Sequence, residues 1–85
     1  MIYKYPAIFR VDKEDSKRIN VSFPDIFGGV TCGIGKENAI FMAKDLLKLM
    51  IQRAPNQCEK PSSIEEIQHK FPGEEVIIIE VEIDE

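Results

Sequence analysis

Between Lys36 and Gln52 the apolar residues keep to one face of a helix. Ala39, Ile40, Ala43, Leu46, Leu47, Met50 and Ile51 recur at i, i+4, i+7, i+8 and i+11, the spacing of a 3.6-residue period. Lys44, Asp45, Lys48 and Gln52 face the other way, Phe41 falls on the polar side, and Met42 and Leu49 flank the stripe. One main helix with such a stripe can cover one face of a four-stranded sheet, giving two layers. The rest of the chain has to supply that sheet.

It does so in short runs of period two. Tyr3, Tyr5, Ala7, Phe9 and Val11 alternate with Lys4, Pro6, Ile8 and Arg10. Pro6 cannot donate to a ladder, so its N–H side must lie past the end of a neighbouring strand or on an edge. After the polar turn Asp12–Ser16, Ile19, Val21 and Phe23 alternate with Arg18, Asn20 and Ser22, which predicts an antiparallel hairpin. Pro24 ends the second strand. Gly28 and Gly29 permit a reversal into a short third strand, Val30-Thr31-Cys32, that ends at Gly33. Gly35 stands at the N-cap of the helix. Past a loop from Arg53 to Lys60, Pro61 to Ile67 reads as a short helix with a capping box of Ser62 and Glu65, ended by Phe71-Pro72-Gly73. The last strand, Val76–Ile83, places Ile77, Ile79, Val81 and Ile83 on one face.

The order is therefore strand, strand, strand, helix, minor helix, strand, in a single α+β domain over residues 1–85. The expected architecture is two-layer: a four-stranded mixed sheet, its last strand beside the first and parallel to it, under one main helix. The uncovered face would expose Ile8 and Ile78, and such a face pairs with a second copy or a partner.

The glycines do not form a nucleotide loop. Gly35-Lys36 is followed by Glu37, where a phosphate loop needs a hydroxyl for magnesium, and no Gly-x-Gly-x-x-Gly follows a long buried strand. His69 is the one histidine, between Gln68 and Lys70 on a short polar helix, so no Ser-His-Asp set is built around it. No inward acid interrupts an apolar strand to mark a two-metal nuclease site, although Asp12 is the residue such a site would use. Cys32 and Cys58 suit neither a disulfide framework nor zinc. These observations point away from an enzyme and from any cofactor or metal. Without a secretory leader or a membrane-length apolar run, the expected location is cytoplasmic.

Charge is uneven. Nine acids between Glu59 and Glu85 face only Lys60 and Lys70, about −7 for that third and about +3 for the rest. An acidic third repels nucleic-acid phosphates and suits a basic partner; it serves equally as a solvated edge that aids solubility.

Tyr5-Pro6-Ala7-Ile8-Phe9, Phe23-Pro24-Asp25-Ile26, Gly28, Thr31, Gly33, the Ala39/Ala43 helix and Pro61-Ser62-Ser63 together resemble the HicB-type antitoxins over nearly the whole chain. The chain departs from that pattern at Phe27-Gly28-Gly29 and at Gly33-Ile34-Gly35. The resemblance implies a partial ribonuclease-H-like fold. It also implies a non-catalytic role: occluding a small basic HicA-like toxin that cleaves mRNA. Many such antitoxins carry a further C-terminal DNA-binding module; none follows here, so direct nucleic-acid binding is not expected. The partner-binding candidates are Glu80, Glu82 and Asp84 for electrostatics, with Ile8 on the open sheet face and Phe41 on the helix. The alternative is a toxin-free scaffold of the same fold, working as a homodimer or higher homo-oligomer.

Overall fold

The computed structural model describes residues 1–84; Glu85, counted above among the C-terminal acids, lies outside the described residues. The elements are β1 (Ile2–Val11), β2 (Arg18–Ser22), β3 (Val30–Ile34), α1 (Lys36–Arg53), a 3-10 turn (Pro55–Gln57), α2 (Ile64–Lys70) and β4 (Glu75–Glu82). The strands form one sheet in the order β3-β2-β1-β4. Pro6 sits as expected: β2 pairing starts at Ile8, so Pro6 has β4 on one side and lies past the end of β2 on the other.

α1 lays its stripe on the face that carries Tyr5, Ala7, Phe9, Val21, Ile79 and Val81. Ala39, Ala43 and Leu47 are fully buried there, and Ile40, Leu46, Met50 and Ile51 pack around them. Burying Leu47 alone stabilises by about 1.5–3 kcal/mol. The small residues at 39 and 43 let the helix come close. A Cβ at Gly33 would lie 2.6 Å from the backbone N and Cα of Ala39, so β3 and the first turn of α1 touch backbone to backbone. Gly35, the N-cap, has φ 82° and ψ 159°, a conformation that suits glycine.

Two expectations about the sheet are corrected. β4 lies beside β1, as expected, but antiparallel to it, pairing Ile2 with Glu82 and Phe9 with Glu75, so the sheet is antiparallel throughout rather than mixed. The opposite face is also not left open around Ile8. α2 packs against β4, Ile67 is buried outside the main core, and Pro6 and Ile8 are buried on the face turned away from α1. α1 descends one face, the segment after it crosses below the sheet, and α2 climbs the other face. β4 therefore enters at the top and must run down. The two helices make three layers where two were expected.

The crossing segment is strapped to the Phe23–Phe27 turn. Ile26 bridges Cys58, Phe27 N donates to Gln57 O at 2.9 Å, and Glu59 N donates to Asp25 O at 2.8 Å. The Asp25 carboxylate, on a residue only 8% exposed, accepts from both the backbone N and the Oγ of Ser62, each at 2.8 Å. Because Ser62 is engaged there, the cap of α2 falls one residue later than expected. Ser63 Oγ accepts from Glu66 N, and Glu66 accepts from Ser63 N, each at 3.1 Å.

Candidate partner-binding surface

The acids singled out on the last strand do not stand alone. Glu80 and Glu82 share a groove of about 360 Å³ with Phe41, Lys44, Asp45, Lys48 and Val81. The groove runs between the outer face of α1 and the edge strand β4. Phe41 is 65% exposed because it lies on the side of α1 away from the stripe, as its position in the period requires. Helical period and strand register thus set one exposed aromatic of α1 beside the edge of β4 that carries Glu80 and Glu82. Lys4 reaches Glu80 at 3.7 Å, an exposed contact that contributes little.

Asp84 lies elsewhere. It borders a second groove of about 560 Å³ with Tyr3, Tyr5, Ile51, Cys58 and Ile83. Burial pushes the Tyr5 phenol above its ordinary value, with smaller contributions from Cys58 and Asp25, and its OH donates to Glu59 O at 2.8 Å. Burial likewise pushes the Cys58 thiol above its ordinary value. Ile8, expected on an exposed face, is 2% exposed, buried on the side of the sheet away from α1.

One surface escaped the sequence reading. The part of the sheet beyond α2 holds a groove of about 420 Å³ lined by Arg10, Arg18, Asn20, Ser22, Val30 and Cys32. Val30, which lines it, and Ile34 at the other end of β3 are exposed, while the exposed Phe27 borders a separate groove with Pro24, Asn56 and Gln57. The alternation of β2 and β3 was legible, but which stretch of the face a seven-residue helix leaves bare was not.

Candidate catalytic groups are dispersed or engaged. Among the described residues no three of His, Cys, Asp and Glu come together as a metal site. Asp12 is held by its own turn: its carboxylate accepts from Glu14 N at 2.8 Å and Asn20 Nδ2 at 3.3 Å, which lower its pKa. Among the described residues no helix is long and apolar enough to cross a membrane.

This arrangement of strands and helices has been seen before. The structure is similar to the crystal structure of the N-terminal domain of the Burkholderia pseudomallei antitoxin HicB, with a TM-score of 0.69 over 98% of this chain and 100% of that one, at 19% identity. The chain has the HicB N-terminal-domain fold. No family model matches the sequence, and no curated protein matches it. The motif residues that carried the resemblance are mostly architectural in this fold. Phe23-Pro24-Asp25 and Pro61-Ser62-Ser63 meet through the Asp25–Ser62 hydrogen bonds, and Gly33 admits the Ala39 backbone.

Proposed function

We propose that this chain is a non-catalytic, HicB-like antitoxin module that binds a small basic HicA-like RNA-cleaving toxin and covers its active site. The observation that carries the reading is the likeness in fold, along the full length, to the HicB N-terminal domain. The β4 edge supports it, since Glu80 and Glu82 offer a basic protein electrostatic attraction and Phe41, across the groove from that edge, offers an apolar anchor. On this reading the module works in the cytoplasm, needs no cofactor and does not itself contact nucleic acid. The test is affinity capture of the tagged chain from its native cells with intact-mass readout. A small basic protein in fixed ratio is the expected result; recovery of this chain alone, from cells that express it normally, would overturn the reading.

Self-association without a toxin is the second reading. The exposed apolar residues Val30 (68%) and Ile34 (59%) on the edge strand β3, with Phe27 (80%) in the turn before it, support it. Light scattering decides it: a stable multiple of 9.7 kDa with no second protein favours a homo-oligomeric scaffold.

A further inference from the structure

The two edges of the sheet differ in what they leave open. Beside β2, the bonds Phe23 N to Gly29 O and Gly35 N to Lys17 O, both 2.8 Å, continue the register that pairs Ile19 with Gly33 and Val21 with Thr31. Odd-numbered residues of β3 therefore bond inward, and Val30, Cys32 and Ile34 turn outward. Two of those three donors are already used. Val30 N donates to Gly28 O at 3.0 Å, and Ile34 N donates to Asn38 Oδ1 at 2.9 Å. The β3 edge is largely closed by its own chain.

The β4 edge is open. Met1 N donates to Ile83 O at 2.8 Å and Ile83 N to Met1 O at 2.9 Å, in the register that pairs Tyr3 with Val81 and Tyr5 with Ile79. Odd-numbered residues of β4 thus bond to β1. Val76, Ile78, Glu80 and Glu82 direct their N–H and C=O groups away from the sheet. Among the described residues, no group outside the strand ladder accepts from these four N–H groups.

We propose that the partner docks by adding an extended, basic segment to this edge as a fifth strand, bonded to Ile78, Glu80 and Glu82. The proposal rests on the antitoxin reading for its biological partner, but its geometry stands separately. Charge selects the occupant. Glu80 and Glu82 project on the face away from α1, so every second side chain of an added strand lies beside them and is best a cation. The intervening side chains lie beside Val81 and enter the groove with Phe41, which takes an apolar group. On the α1 side that groove is bordered by Lys44 and Lys48 against the single acid Asp45, so cations are better placed on the Glu80 and Glu82 face, which favours one face of the incoming strand.

The deciding experiment uses the full chain, 15N-labelled, with the peptide acetyl-Lys-Val-Lys-Val-Lys-Val-Lys-amide as probe. At saturation the amides of Ile78, Glu80 and Glu82 are expected to exchange about tenfold more slowly, while Ile77, Ile79 and Val81, already bonded to β1, change little. Glu80→Pro removes an outward donor and no β1 bond, and is expected to weaken the peptide about tenfold or more. Glu80→Gln keeps the donor and is expected to weaken it about two- to fivefold, an effect lost in high salt. If Glu80→Pro unfolds, the alternating protection pattern in the unsubstituted chain decides alone. Protection of none of the even-numbered amides, or perturbation centred on Arg10 and Arg18 instead, overturns the proposal. The same exchange pattern in a captured toxin complex separates the two readings. A toxin bound without protection of these amides removes the edge proposal and leaves the antitoxin; edge pairing by the peptide with no RNA-cleaving partner does the reverse.

Discussion

Asp25 is expected to be the costliest polar side chain to remove. Its carboxylate receives two 2.8 Å hydrogen bonds from Ser62 on a residue 8% exposed. A hydrogen bond to a charged group contributes about 1.5–3 kcal/mol, and water can reach a half-buried Ser62 N–H once the carboxylate is gone. Asp25→Ala is therefore expected to cost about 2–4 kcal/mol, out of the roughly 4–13 kcal/mol available to a chain of 85 residues. That lowers Tm by about 10–25 °C in a domain of this size. Asp25→Asn should cost about half as much, because its Oδ1 can accept from the Ser62 N–H and its amide can donate to Oγ. Ser62→Ala leaves the backbone bond and should cost about 1–1.5 kcal/mol. The chain lacks tryptophan, so urea unfolding followed by far-UV circular dichroism is the assay. The Asp25→Ala/Ser62→Ala cycle should show about 1 kcal/mol of coupling. An Asp25→Ala variant within about 0.5 kcal/mol of the parent, or a cycle with no coupling, would refute the strap argument.

Three further outcomes are expected. Gly33→Ala drives a Cβ to 2.6 Å from the Ala39 backbone, which no rotamer change relieves, and should cost about 1–3 kcal/mol in the same urea assay; a neutral result contradicts the close approach. Glu66 is held below its ordinary value of 4.5 by hydrogen bonds from Ser63, so it stabilises the fold above that value and the benefit is lost as pH falls through its lowered value; Glu66→Gln keeps the cap, and should flatten part of the acid limb of stability below about pH 4.5. Reversing Glu80 and Glu82 to Lys should slow association with a basic partner about tenfold or more at low salt and reduce its salt dependence, read by stopped flow or surface binding; unchanged kinetics count against an acidic docking edge.

Much of the fold was legible because it rests on local periods. The α1 stripe and the strand alternations depend only on which residues share a face, and their boundaries fall within a residue or two of those expected, as does the glycine cap at 35. The direction of β4 was not legible. It depends on the path of a segment held by Asp25 and Ser62, 37 positions apart, and nothing local announces that contact. The same contact moved the capping box from Ser62 to Ser63 and placed α2 on the second face, the face on which Ile8 is buried. For the surface, period alone placed Phe41 outside. That it shares a groove with Glu80 and Glu82, and that Asp84 does not, follows from how α1 crosses the edge strand.

The most direct test of the central claim is RNA cleavage by the basic protein released from this chain's complex, followed as the purified chain is added back. Cleavage that stops at stoichiometric amounts, and returns when the chain is removed, is the expected result. Cleavage that continues unchanged with the chain demonstrably bound would contradict occlusion as the function of this fold.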